Sequence, residues 1–130
     1  MHFTQIKETC LYSTDLKRAE EFYAHILGLE KIVSVENRHV FFRAGSSVLL
    51  IFNPDVTKHE TSVPPHFGSG QLHIAFEVAR EDYVSTKEKI LAKGVTIEHE
   101  HDWPGGYKSF YFRDTDNHCI EIVEAGMWGK

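Results

Sequence analysis

The sequence has few cysteines, no long apolar run and no excess of positive charge. Two cysteines in 130 residues exclude a disulfide framework and fit a reducing compartment. No apolar run approaches the roughly 20 residues that span a bilayer, and the first residues lack the apolar core of a secretory signal. Lys and Arg number 14 against 19 Asp and Glu, a net charge of −5, whereas nucleic-acid binders usually carry a basic face. We therefore expect a cytoplasmic protein that binds neither membranes nor nucleic acids.

The sequence does contain enough apolar residues for one folded domain, together with nine histidines. Hydrophobic residues make up 42% of the chain and aromatic residues 12%, which is sufficient for a core at this length. Many histidines can indicate metal binding. A histidine binds metal only where other ligands converge on it, so position matters more than number.

Both halves of the chain carry the same order of predicted elements, strand–helix–strand–strand–strand. Each predicted helix has apolar residues at helical spacing and ends at a glycine, Gly28 or Gly94. Prolines and glycines between the halves mark a loop over 54–70, and a loop of this length is more often functional than idle. The predicted strands are 9–13, 31–36, 40–43, 48–53, 73–78, 95–99, 108–113 and 119–124, and the predicted helices are 16–27 and 81–93.

An overlay of the two halves indicates an internal duplication. An offset of 70 residues aligns the third strands with two identities, and an offset of 65 aligns the first strands and places Glu8 on His73. Carried onward, the offset of 70 places Ile51 on Glu121. Two copies are too few for a solenoid, so we predict paired modules related by a pseudo-twofold axis. The predicted boundaries are module one at about 5–53, the loop at 54–70 and module two at about 71–126.

Three segments carry motifs of one known family. Residues 11–23 (LYSTDLKRAEEFY), 72–78 (LHIAFEV) and 112–122 (FRDTDNHCIEI) resemble, in order, the opening, the second-module opening and the closing motif of the vicinal oxygen chelate superfamily. That superfamily holds glyoxalase I, the fosfomycin and bleomycin resistance proteins, methylmalonyl-CoA epimerase and the extradiol dioxygenases. The resemblance implies an α+β, glyoxalase-like fold, in which two βαβββ modules form a curved mixed β half-barrel. It leaves the activity open because the fold hosts many chemistries.

The resemblance also implies where a metal site would lie. The family's ligands sit on the first and last strands of each module, which here are the positions of Glu8, His73, Ile51 and Glu121. Glu8 stands where the family has His or Gln, and Ile51 cannot coordinate a metal. Strand alternation independently directs His73 away from the apolar side of its strand. The alternative readings are a hydrogen-bonded strand histidine for His73 and a salt-bridged residue for Glu8.

Convergence of Glu8, His73 and Glu121 would give a site with one histidine, two carboxylates and open positions. Such a set takes one divalent ion, which could be Mn²⁺, Fe²⁺, Zn²⁺, Ni²⁺ or Mg²⁺. A small oxygen-bearing substrate would fill the open positions in a lyase, isomerase or dioxygenase reaction. Glyoxalase I activity is not expected, because Ile51 removes one of the two protein groups needed to move the proton.

Further residues are predicted to surround this site. His66, on the loop before the His73 strand, is a candidate acid or base near neutral pH, or else an exposed loop histidine. His99 and His101 form a weak H-x-H signal for a second site, and with the other histidines they are expected at the surface. The predicted pocket residues are Tyr12, Ile51, Phe52, Trp103, Tyr111 and Arg113, and the predicted surface histidines are His2, His25, His39, His59, His99, His101 and His118.

A rival hypothesis is a metal-free small-molecule binding protein of the bleomycin-resistance type. Such a protein would sequester an aromatic or cationic drug or antibiotic. This hypothesis is favoured by the missing fourth ligand, the net negative charge and the number of aromatic residues. Members of the superfamily are commonly dimers, so we expect a homodimer under either hypothesis, with the modules paired within one chain or between two. The aromatic residues in question are Phe41, Phe52, Phe67, Trp103 and Tyr111.

Overall fold

The computed structural model describes residues 1–129, which divide into two compact units between Gly70 and Gln71. Each unit contains one four-stranded mixed sheet whose first strand runs parallel to its last strand. Each unit follows the strand–helix–strand–strand–strand order, so the predicted glyoxalase-like modules are confirmed. Within the described residues, no helix is both long enough and apolar enough to cross a membrane.

The first unit has strand order β1-β4-β3-β2. Asp15 caps its first helix by accepting a hydrogen bond from the backbone N–H of Arg18 at 3.2 Å. The ring of Tyr23 lies 5.9 Å from that of Phe42, so the helix packs on one face of the sheet. Its elements are β1 (Glu8–Tyr12), α1 (Leu16–Glu21) continuing as a π-helical turn (Phe22–Ile26), β2 (Glu30–Val35), β3 (His39–Ala44), β4 (Ser47–Phe52) and α2 (Pro54–Thr57).

The second unit has strand order β5-β8-β7-β6. Its helix packs on the sheet through Tyr83, whose ring lies 5.4 Å from that of Phe110. Ile120 and Ile122 of the central strand are buried on the same side. The elements are β5 (His73–Val78), a 3₁₀ turn (Arg80–Asp82), α3 (Tyr83–Ala92), β6 (His99–Trp103), β7 (Tyr107–Arg113) and β8 (Cys119–Glu124).

Two elements differ from those predicted. The strand expected at 95–99 lies instead at His99–Trp103, because a turn with Gly105 and Gly106 in left-handed conformation pairs β6 with β7 in that register. The predicted loop 54–70 begins with the short helix α2. Asn53 caps it by accepting from the N–H of Asp55 at 3.1 Å, and Pro54 occupies its first turn.

Candidate functional site

Two ionisable side chains face each other on adjacent strands of the second unit. His73 begins β5, and Glu121 lies on β8, which pairs parallel with β5. His73 Nδ1 lies 2.9 Å from the carbonyl oxygen of Cys119. Because a carbonyl only accepts, Nδ1 carries the proton of the neutral ring. The other ring nitrogen, Nε2, faces Glu121 Oε2 at 3.3 Å.

This arrangement fits a divalent cation. The lone pair of Nε2 and the carboxylate oxygen repel each other unless a proton or a metal ion lies between them. Nitrogen and oxygen ligands at about 2.0–2.2 Å from a shared ion lie roughly 3 Å apart, which is close to the 3.3 Å between these atoms. The side chain of His73 is 52% exposed and that of Glu121 is 9% exposed. The imidazole is therefore open to an incoming ion, while the carboxylate is held within the protein.

Tyr111 holds the second oxygen of Glu121. The two residues are register partners on β7 and β8, and the Tyr111 hydroxyl donates to Glu121 Oε1 at 3.0 Å. Burial raises the pKa of Tyr111 and the Glu121 carboxylate adds to the rise, although the hydrogen bond from Ser109 opposes it. The phenol therefore remains a proton donor to the carboxylate at neutral pH.

Two further predicted pocket residues lie on the same sheet with their polar atoms engaged. Trp103 Nε1 donates to Ser109 Oγ at 2.8 Å. Arg113 Nε donates to Glu98 Oε2 at 3.0 Å. These side chains are therefore fixed by the protein, and their contact with a substrate stays a prediction.

In the first unit, three predicted site residues come together. The Tyr12 hydroxyl lies 2.6 Å from His66 Nδ1, and the ring of Phe52 lies 4.8 Å from the ring of His66. Burial, followed by interaction with Cys10, raises the pKa of Tyr12 to about 12. Tyr12 therefore keeps its proton at neutral pH, and the short contact links its hydroxyl to the imidazole of His66.

Glu8, the third predicted metal ligand, is exposed at the start of β1 in the first unit. By strand alternation it shares a face with Tyr12. Its role as a ligand stays a prediction.

The expected equivalence of Ile51 and Glu121 is wrong by one residue. Glu121 lies two residues after the strand partner of His73, and the residue two after the strand partner of Glu8 is Leu50. The connection before the last strand is one residue longer in the second unit, which shifts the offset. Ile51 is 1% exposed and lies on the helix-packed face, so it does not line a pocket on the opposite face. Leu50 is also apolar, so β4 offers no fourth ligand.

His118, expected at the surface, is only 2% exposed. Its Nδ1 accepts from the backbone N–H of Leu72 at 2.9 Å, and Asp114 Oδ1 accepts from the N–H groups of Asp116 and His118 at 2.9 Å each. Asp114, Asp116 and His118 place ligand atoms within 4.8 Å of one another, so they form a second group that could hold an ion. The Asp-x-Asp spacing predicted only a turn, because burial of the histidine depends on β5 packing beside it.

The other histidines expected at the surface divide into two groups. His39 is half-buried, with its ring stacked on Phe41 at 4.2 Å, which corrects the expectation for this residue. His99 and His101 are exposed on β6, with Nε2 of the first 3.3 Å from Nδ1 of the second. Exposure is also confirmed for His2, His25 and His59.

Sequence comparison assigns the chain to a family. Residues 5–122 match the glyoxalase/bleomycin resistance protein/dioxygenase superfamily. The chain belongs to this superfamily. Its members host several chemistries, so membership gives the fold and leaves the reaction open.

Individual members of the superfamily resemble this chain along most of its length. The crystal structure of a lactoylglutathione lyase from Agrobacterium tumefaciens is 34% identical, with a TM-score of 0.93 and 98% of each chain covered. Glutathione transferase FosA from Serratia marcescens is 29% identical, covering 84% of this chain and 72% of the relative. Metallothiol transferase FosB from Shouchella clausii (strain KSM-K16) is 26% identical with the same coverages. These relatives are named as one lyase and two transferases.

Proposed function

We propose that this protein is a metal-dependent enzyme whose divalent cation is held by His73 and Glu121. The observation that carries the proposal is the position of His73 Nε2, which faces Glu121 Oε2 at 3.3 Å while Nδ1 is held by the Cys119 carbonyl. The Cys119 carbonyl fixes the tautomer in which Nε2 is free to coordinate, and Tyr111 fixes the carboxylate. When bound, the ion would act as a Lewis acid toward two oxygens of a small chelating substrate.

We further propose a lyase or transferase reaction that uses a thiol. The names of the three relatives support this choice, since each refers to glutathione or to a thiol. The likeness to a lactoylglutathione lyase also keeps that activity among those to be assayed, although β4 offers no fourth ligand. The role of His66 as an acid or base stays a prediction from the sequence. Consumption of glutathione with small electrophiles, and breakdown of lactoylglutathione, are the first assays.

Metal analysis of protein purified without chelators tests the proposal. We expect a stoichiometric divalent ion in the wild type and its loss in His73→Ala and Glu121→Ala, because each variant removes one donor group. His59→Ala, which changes an exposed histidine, is the matched control and should keep the ion. Glu8→Ala tests, in the same way, the prediction that Glu8 is also a ligand. Only traces of metal in the wild type would refute the proposal.

Two other groups of residues must be separated from this site in the same experiment. The pair His99 and His101 is removed in a double alanine variant, and the β7–β8 turn is tested with Asp116→Asn. We expect the ion to remain in both. Loss of the ion in Asp116→Asn, together with retention in His73→Ala, would show that the ion binds at the β7–β8 turn. That result would overturn the assignment to His73 and Glu121.

A second candidate function, the metal-free binding protein, has its own support in the first unit. Ring contacts run continuously through four side chains, with centroids 4.2 Å apart for His39–Phe41, 5.3 Å for Phe41–Phe52 and 4.8 Å for Phe52–His66. Such a surface could stack a flat aromatic or cationic molecule. Phe67, counted among the aromatics, is 69% exposed. Thermal-shift screening separates the two functions, since a shift with aromatic cations and none with metals favours the binding protein.

The cytoplasmic location and the homodimer stay predictions.

A further inference from the structure

A chain of hydrogen bonds on β6, β7 and β8 ends at the Glu121 carboxylate. Trp103 Nε1 lies 2.8 Å from Ser109 Oγ, which lies 3.3 Å from the Tyr111 hydroxyl. That hydroxyl lies 3.0 Å from Glu121 Oε1. Strand alternation on β7 brings Ser109 and Tyr111 to one face, and the register pairs Tyr111 with Glu121.

The chemistry of the groups gives this chain one direction. An indole N–H can only donate, so Ser109 Oγ must accept from Trp103. The single hydroxyl proton of Ser109 is then donated to the oxygen of Tyr111, and the proton of Tyr111 is donated to Glu121. The carboxylate can only accept, so both ends of the chain impose the same order.

Burial makes this chain of hydrogen bonds a fixed support for the Glu121 carboxylate. Ser109 and Glu121 are both buried, so water has little access to the hydrogen bonds that link them through Tyr111. Oε1 of Glu121 is held by Tyr111, and Oε2 faces the Nε2 of His73. The two oxygens therefore have separate partners, and the carboxylate has one orientation.

We propose that Trp103, Ser109 and Tyr111 are positioning residues that hold Glu121 with Oε2 directed at the ion shared with His73. The inference rests on the proposed function, because it assigns a role toward that ion. Residues that hydrogen-bond to a metal ligand fix its orientation, and their loss commonly weakens metal affinity about 10–100-fold. None of the three would contact the ion.

The test compares two tyrosine variants in metal titrations of the otherwise intact chain with Zn²⁺ and Mn²⁺. Tyr111→Phe removes only the hydroxyl that holds Glu121. Tyr83→Phe is the matched control, because Tyr83 donates to Glu100 Oε1 at 3.2 Å from the helix side of the same unit. We expect the metal dissociation constant to rise about 10–100-fold in Tyr111→Phe and to stay at the wild-type value in Tyr83→Phe.

A second readout separates positioning from a general loss of stability. Thermal unfolding of the metal-free variants reports the cost of each lost tyrosine–carboxylate hydrogen bond, and both variants are expected to lose stability. Only Tyr111→Phe should also lose metal affinity. Ser109→Ala and Trp103→Phe should weaken affinity progressively less, since each breaks the chain one link further from the carboxylate.

The outcomes separate this inference from the function on which it rests. A wild type that binds neither ion overturns both. Tight binding by the wild type with unchanged affinity in Tyr111→Phe overturns the positioning role alone. Equal weakening in Tyr111→Phe and Tyr83→Phe does so too, because affinity would then follow overall stability.

Discussion

Tyr12 and His66 are 54 positions apart in the chain, yet the Tyr12 hydroxyl and His66 Nδ1 lie 2.6 Å apart. The backbone N–H of His66 also bonds the carbonyl of Thr57 at 3.3 Å, so the loop is attached at two points. Gly68 follows against the tyrosine ring, where an added Cβ would lie 2.9 Å from a ring carbon. The end of the loop is therefore fitted to Tyr12, which explains why a residue far along the chain joins this cluster.

Alkaline titration tests this contact. Because burial and Cys10 raise the pKa of Tyr12 to about 12, the ultraviolet titration of the wild type should contain a phenol that ionises near this value. Tyr12→Phe should lack that phenol and should lose about 0.5–1.5 kcal/mol of unfolding free energy with the hydrogen bond. Full ionisation of Tyr12 near its ordinary pKa of 10.0 would contradict the buried contact.

Core substitutions test the register of β4. Ile51 is 1% exposed on the helix-packed face, whereas its neighbour Leu50 is half-buried on the other face. Ile51→Ala should lower the free energy of unfolding by about 2–5 kcal/mol, because it leaves a cavity in the core. Leu50→Ala should cost less. Urea unfolding measures both, and a larger cost for Leu50→Ala would show that the two faces have been exchanged.

The same pair of residues shows how far local sequence patterns reach. Strand order, helix positions and the facing of His73 follow from apolar alternation and turn residues, which are local signals. The equivalent of Glu121 could not be found by a constant offset, since one extra residue in the β7–β8 turn moves every later side chain to the opposite face. The partner of Glu121, Tyr111, was predicted only as a pocket residue, because register alone decides which side chains meet across two strands.

Acid unfolding should depend on the ion pair of Arg38 and Glu60. The hydrogen bond from Arg38, followed by those from Ser62 and Thr61, lowers the pKa of Glu60 from 4.5 to about 2. A pKa lowered in the folded state stabilises the fold above pH 4.5, and the contribution is lost as the pH falls toward 2. Glu60→Gln should therefore flatten the dependence of unfolding free energy on pH in this window.

A matched acidic variant serves as the control for this measurement. Glu20 forms an exposed pair with Lys31 at 3.2 Å, with side chains 36% and 45% exposed. Glu20→Gln should leave the acid slope as in the wild type, because exposed pairs contribute little. Equal slopes in the wild type and Glu60→Gln would mean that Arg38 does not hold the carboxylate.

The contribution of His39 to the stability of the fold should depend on pH in the opposite sense to that of a histidine paired with a carboxylate. Its Nδ1 accepts from Arg38 Nη1 at 2.6 Å, and its ring stacks on Phe41 at 4.2 Å. Burial, followed by the charge of Arg38, lowers the pKa of His39 below 6.5. The folded state thus favours the neutral ring, because a second proton would have to enter beside a guanidinium.

The sign of the resulting pH dependence follows from that shift. With the folded pKa of His39 below its unfolded value of 6.5, this contribution is complete above pH 6.5 and is lost as the pH falls through that value toward the folded pKa. An NMR titration of the imidazole should therefore give a midpoint below 6.5. Arg38→Gln should raise that midpoint without restoring it fully, since burial, the larger cause, remains. A wild-type midpoint at or above 6.5 would show that neither burial nor Arg38 acts on the ring.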